Sequence, residues 1–441
     1  MNTISRQLEK EELDIPEEIL KNKGSRNFMR SLFVTTKELK TLNFFWIGFI
    51  IYTLGYTLAV TGQFNVIICQ FVQLIGIILF ISSSVRLIEF KLESKYLQVL
   101  FVIYFSWILG IIFRGLELNY YNIKLMLFEV YEGAFFYLVP FIIFFPKNLL
   151  FYKKAFDAII ILAFFGLFHE LIVIGEILNR GSEEGKGFVE VYTKTFAIPA
   201  GLILLTFMYH PTRRKIFAIG ILTLSAMLAV YRARRSLLLM TINPLLFSYL
   251  FYLISSNKRV LIVFFSLFIA VFLALFAESF LNEDNDRGFF SQLMERGTVD
   301  TRTGVEECLF NDMKPIDWIV GKGMNGKYYC PNIELDGVTD YRTGIESDYL
   351  QLILKGGIIN LILVLLIMIP AVFKGLFLSN NYLSKAAGIW VLFYLLYLYP
   401  SPVTKFNLNY LLVWISIGIC YSNSILKMPE KIVKAYYRAE I

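Results

Sequence analysis

The chain has 441 residues, 57% hydrophobic and only 17% charged, with a mean hydropathy of +0.61. That composition excludes a soluble enzyme of this length. The net charge of +7 is dispersed over short basic connections, which argues against a nucleic-acid surface and assigns the cations to membrane topology.

Residues 1–41 read as a polar tail. Glu9, Lys10, Glu11, Glu12, Asp14, Glu17 and Glu18 precede any apolar stretch, so a cleavable leader is not expected and the first span serves as an uncleaved anchor. Apolar runs long enough for a hydrocarbon layer of ~30 Å then predict spans near 42–61, 65–85, 96–113, 124–145, 155–176, 194–209, 216–231, 236–254 and 259–277. A hydrophilic stretch, 278–348, follows. Three more spans are expected near 349–373, 385–400 and 406–426, then a tail, 427–441. The expected fold is an all-α polytopic bundle of about twelve transmembrane helices. The fourth span is kept despite Lys124, Glu129, Glu132 and Pro146, because the charge alternation that follows requires it.

That alternation is the positive-inside pattern. Arg26, Arg30, Lys37 and Lys40 precede the first span. Alternate connections carry Arg86, Lys91 and Lys95; Lys147, Lys153 and Lys154; Arg213, Arg214 and Lys215; Lys258 and Arg259; and Lys374 and Lys385. Lys427, Lys431, Lys434 and Arg438 complete it, placing both termini in the cytoplasm.

Two connections on the opposite side break the rule. One, Tyr231-Arg232-Ala233-Arg234-Arg235-Ser236, holds three arginines in four residues. The planar guanidinium fork matches phosphate oxygens two at a time, so outward-facing arginines at a helix junction suit a lipid-linked phosphate or diphosphate. The competing account is snorkelling to headgroups or pairing with acids. The other is the loop 278–347, with 14 acidic residues against 7 Lys/Arg, opposite in sign to the whole chain. Its Phe289, Phe290, Leu293, Trp318, Ile319 and Val320 predict a folded cap with short helices. Cys308 and Cys330 lie in it and can pair if the loop is outside, although spacing leaves the connectivity open. Cys69 and Cys420 fall in apolar spans, and two separated histidines, His169 and His210, give no basis for a His-based metal site.

Within the loop, Arg302 precedes an amphipathic run, Val305–Phe310. Gly321-Lys322-Gly323-Met324-Asn325-Gly326 has GxGxxG spacing but lacks the strand and helix of a nucleotide fingerprint, and reads as a glycine turn. At 341–350, Ser347 or Asp348 is placed to cap the next span, while Glu346 precedes the cap and can face a cavity with Arg342. A carboxylate there suits a general base on a sugar hydroxyl, and helix-end electrostatics accounts for it equally well. Glu129 with Glu132, and His169 with Glu170, are further acids in apolar surroundings for which an internal pair is as good a reading as a functional one.

Taken together, these motifs resemble the O-antigen polymerase and O-antigen ligase superfamily of bacterial membrane glycosyltransferases. Arg235-Ser236-Leu237-Leu238 is similar to its outer-face Ser-Arg-Gly-type step. Arg302, Trp318 and Gly321-Lys322-Gly323 are similar to its loop arginine, tryptophan and Gly-x-Gly. Glu346-Ser347-Asp348-Tyr349-Leu350, followed by Gly356-Gly357-Ile358-Ile359-Asn360, resembles its His-Asn-x-Tyr-Leu entry to the next helix. The likeness covers about 190–375 in detail. Glu346 stands where ligases typically carry histidine, which favours the polymerase branch.

The resemblance implies a GT-C-like fold and metal-independent, cofactor-free transfer of a growing glycan from undecaprenyl diphosphate to a lipid-linked repeat unit. It implies Arg235, Arg302 and Glu346 as catalytic groups. Arg232, Arg234, Arg342, Trp318 and Tyr349 would bind diphosphate or glycan. The location implied is the periplasmic face of the inner membrane, with membrane lipids and a chain-length regulator protein as partners. A ligase and a lipid-linked oligosaccharide flippase are the alternatives, though flippases usually have short loops throughout.

Overall fold

The computed structural model describes residues 36–62, 64–131, 133–179, 181–255, 303–331 and 340–438. In chain order the elements are α1 (Thr36–Val60), α2 (Val66–Leu87), α3 (Lys95–Gly115), α4 (Tyr120–Phe128) and α5 (Ala134–Leu138), the last continuing as a 3-10 turn, Val139–Phe144. Then come α6 (Leu149–Ile172), α7 (Ile174–Leu178), α8 (Glu183–Tyr192), a π turn (Thr193–Ala197), α9 (Ile198–Leu205), α10 (Thr212–Tyr231) and α11 (Arg235–Ser255). The loop contributes α12 (Thr303–Asp312), α13 (Pro315–Val320) and the strands β1 (Tyr328–Tyr329) and β2 (Tyr341–Arg342), before α14 (Asp348–Phe377), α15 (Tyr382–Tyr397), α16 (Leu408–Tyr421), α17 (Asn423–Leu426) and α18 (Glu430–Arg438).

Among the described residues, eight helical segments are long and apolar enough to cross a membrane, and the only sheet is the antiparallel β1–β2 pair. The expected span at 259–277 lies outside the described residues. The expected span at 124–145 is not one helix. α4 ends at Phe128, the chain runs extended through Glu129, and a short helix resumes after Gly133. A Cβ at Gly133 would collide with the Glu129 carbonyl, so this tight return needs glycine.

Burial sorts the helices into a core and a rim. Every residue of α16 from Leu408 to Tyr421 is buried, as is all of α9, and Trp390 and Trp414 are among the largest enclosed side chains. A helix apolar on all sides belongs inside such a bundle. α2 instead exposes Ile67, Ile68, Phe71 and Ile78, a surface suited to lipid. It holds α1 through close backbone approach: a Cβ at Gly76 would come within 2.6 Å of the Tyr52 amide. Small residues permit that contact where no hydrophobic force drives two apolar helices together.

α14 is two helices joined at Gly357, which takes φ +71°. The break frees the Leu354 and Lys355 carbonyls, and the glycine turn claims them: the Lys322 amide donates to Leu354 O at 2.7 Å and the Gly323 amide to Lys355 O at 2.9 Å. The same turn caps α3, with the Met324 amide on Ile111 O at 3.0 Å and Asn325 Nδ2 on Gly115 O at 2.6 Å. A Cβ at Gly321 would sit 2.5 Å from the Gly356 amide. The string therefore works as a clasp between loop and bundle. Cys308 and Cys330 are bonded, with Cα atoms 5.2 Å apart, and tie α12 to β1 above it.

Candidate functional site

The arginine junction joins α10 to α11 through a turn in which Ala233 takes φ +53°, a left-handed conformation that costs alanine roughly 1–2 kcal/mol. Its three arginines have separate fates. Arg232 is buried and donates to the Asn179 carbonyl at 2.7 Å and to the Ser182 carbonyl, pinning the connection between α7 and α8. Arg234 is half-buried and acts electrostatically on Glu183 and Glu190 of α8. Its Nε is enclosed and makes no hydrogen bond among the described residues. Arg235 opens α11 and is exposed.

Below Arg234 lies a set of charges that the sequence reading passed over. Lys194 sits in the π turn with 1% of its surface exposed, donating to Glu190 Oε1 at 2.5 Å and to the Pro402 carbonyl at 2.9 Å. A π turn inserts one residue into the helical ladder and re-aims the side chains after it. Lys405, 2% exposed, donates to Tyr131 Oη at 2.9 Å, and its ammonium lies 4.6 Å from the centre of that ring. Burial pushes the Lys405 ammonium down to about 8, opposed by the nearby carboxylates of Glu190, Asp348 and Glu129.

Asp348 corrects the capping expectation. Ser347 occupies the N-cap position of α14 without a side-chain cap bond. The buried Asp348 carboxylate turns away from its own helix and accepts the Val403 and Thr404 amides at 2.5 and 2.6 Å. Its amide donates to Leu398 O at 2.8 Å, so both ends of the 398–404 segment are gathered on one residue. The Phe406 amide donates to Val130 O at 2.8 Å, which brings the 129–133 break to the same place. Two breaks in helical regularity thus deliver Tyr131 and Lys405 to each other.

The remaining expected residues gather around the stapled loop. Arg342 and Glu346 both act electrostatically on Tyr328, whose hydroxyl, pushed up to about 12 chiefly by burial, donates to Gly344 O at 2.9 Å. Gln351 of α14 ties this segment down, accepting from the Ile345 amide and donating to Thr343 O. Trp318 stacks on Phe310 at 5.6 Å, and Tyr349 Oη is engaged with Leu395 O at 2.7 Å. Arg302 and Glu132 lie outside the described residues. Away from these groups, His169 Nδ1 and Glu170 Oε1 pair at 3.1 Å inside the bundle. The one sequence signal for Lys194 and Lys405 was a lysine at the edge of an apolar run, where each marks the start of an expected span and reads as a boundary.

Comparison with known proteins gives no match: no family model, no curated protein and no solved structure is similar to the chain.

Proposed function

We propose that this chain is a polysaccharide polymerase of the O-antigen or capsule type. It would be a twelve-span, GT-C-like glycosyltransferase with cytoplasmic termini, acting at the periplasmic face of the bacterial inner membrane. The observation that carries the reading is the convergence of Arg234, Lys194 and Lys405 on Glu190, beside the exposed Arg235 at the α10–α11 junction. Buried cations are costly in a membrane protein and repay that cost where a charged group must be received. A diphosphate leaving group is such a group. The Cys308–Cys330 bond fits a loop facing an oxidising compartment.

In the proposed step, a hydroxyl oxygen of the acceptor repeat attacks the anomeric carbon of the donor glycan. The bond from that carbon to the diphosphate oxygen breaks, and its electron pair leaves on undecaprenyl diphosphate. Glu346 accepts the hydroxyl proton, while Arg235 and Arg302 meet the growing negative charge. Arg234 and Arg342 hold diphosphate or glycan, and Trp318 and the ring of Tyr349 offer flat faces to sugars. Arg232, already engaged with two backbone carbonyls, positions the junction.

The test supplies purified protein with a synthetic undecaprenyl-diphosphate repeat unit and follows products by gel. Laddered glycans are expected from the unaltered chain, with a fall of roughly 10²–10³ in rate for Arg235→Ala or Arg302→Ala. Undiminished ladders in both variants reject the arginine mechanism, and single transfers to a lipid A core without laddering reject the polymerase.

A further inference from the structure

At the far end of α10 from the arginine junction, a cleft of about 400 Å³ opens between the Phe207–Tyr209 turn, the start of α10, the end of α11 and α18. Twenty residues of helix separate the two places, about 30 Å. Among the described residues, three cations line the cleft, Lys215, Lys434 and Arg438, and no carboxylate does. None of the three makes an ion pair or hydrogen bond among the described residues. Lys434 and Arg438 are four apart on α18 and so share one face, while Val433 and Tyr437 bury the other. The nearest acid of α18, Glu430, is turned inward and accepts from Tyr209 Oη at 3.0 Å and the Tyr382 amide at 2.8 Å.

The fourth basic group is silent. His210 is buried with Nε2 2.9 Å from Thr206 Oγ1. Burial, then Arg214 and Lys215, hold it down at about 3, so it is neutral at physiological pH. The rest of the wall is amphiphilic: Phe207 and Tyr252 pack edge to face at 5.8 Å. Beside the mouth, Ile216, Tyr252 and Ile254 are exposed on the outside of the bundle. A free inorganic anion uses the cations and leaves that apolar margin without a purpose. A phosphate attached to a long hydrocarbon uses both.

We propose that this cleft is a binding site for an anionic phospholipid. The headgroup phosphate is held by Lys215, Lys434 and Arg438, and its chains lie along the exposed apolar ends of α10 and α11. Basic pockets between membrane helices take such headgroups, and a cation beside an anionic lipid surface contributes roughly a fivefold gain in binding. The site is remote from the proposed diphosphate chemistry and does not depend on it, because the readout is lipid retention and not glycan synthesis.

The experiment delipidates the full chain in detergent and adds dioleoyl-phosphatidylglycerol or dioleoyl-phosphatidylcholine. Retained lipid is counted by native mass spectrometry. The unaltered chain is expected to retain the glycerol lipid preferentially. The pair Lys215→Gln/Lys434→Gln should lose that preference by about 25-fold, two cations at about fivefold each. Lys431→Gln, an exposed neighbour on α18 outside the cleft, should leave it unchanged. Equal retention of the two lipids by the unaltered chain overturns the proposal, as does equal retention of the glycerol lipid by the chain and the double variant. Displacement by inorganic phosphate overturns it in favour of a soluble anion. One-for-one displacement by undecaprenyl phosphate overturns it in favour of the carrier lipid.

Discussion

The two ends of α10 carry nearly the same sequence feature and use it in opposite ways. At its start, Arg213 and Lys215 are without partners among the described residues, and Arg214 makes a half-exposed ion pair with Asp157 at 2.8 Å. At its end, Arg232 is enclosed and donates to two backbone carbonyls, Arg234 acts on the half-buried Glu190 and the exposed Glu183, and the turn between them holds a left-handed alanine. Three cations in a few residues are a solvated collar in one place and part of a packed charge network in the other. The neighbours set the difference: α7 and α8 fold over Arg232, whereas a cleft stays open beside Lys215.

The comparison predicts unequal costs. Arg232→Ala should be the most damaging change to stability, about 3 kcal/mol, because two charge-assisted bonds to the connection between α7 and α8 go. Thermal unfolding in detergent would register it; a loss no greater than that of Arg213→Ala, expected within about 0.5 kcal/mol, would erase the distinction. Asp348→Ala should cost about 2–3 kcal/mol by freeing the Val403 and Thr404 amides, and its removal should expose the 398–407 connection to limited proteolysis. Ala233→Gly should raise stability by about 1 kcal/mol, since glycine takes that backbone without strain. Arg214→Ala should cost about 0.5 kcal/mol or less, read from a double-mutant cycle with Asp157→Ala.

A pH series separates the buried lysine from the collar. Folding lowers Lys405 from 10.5 to about 8, so between those values the unfolded chain binds a proton that the folded chain does not. Stability then rises with pH across that window, and the penalty of the buried charge is fully present below it. Lys405→Met should remove that rise, whereas Arg213→Ala should retain it. Unfolding midpoints at pH 7.5 and pH 10, compared across the three proteins, decide the matter; a rise of the same size in Lys405→Met would show that another group titrates.

Much of the fold was legible because it depends on runs of side chains. A stretch such as Val66–Leu87 must be a helix in an apolar medium, since each amide needs a partner and only its own chain supplies one. The arginine junction was legible for a related reason, because three cations in four residues interrupt the alternation of basic connections along the chain. The 124–145 stretch misled because its apolar content sums to a span, while one glycine and the pull of Phe406 on Val130 open it. Asp348 misled because a carboxylate at a helix start has a local use, and the structure gives it a distant one.

By itself, then, the amino-acid sequence determined the apolar helices, the short helices at 303–320 and the residues available for charge chemistry. Those follow from composition along a few turns of chain and from solvation of the backbone. Only the tertiary structure decided which cations are spent on backbone and which remain open. It also brought Lys194, Tyr131 and Lys405 together from segments more than 270 residues apart at the extremes, because a hydrogen bond depends on where two atoms lie and no local pattern records that.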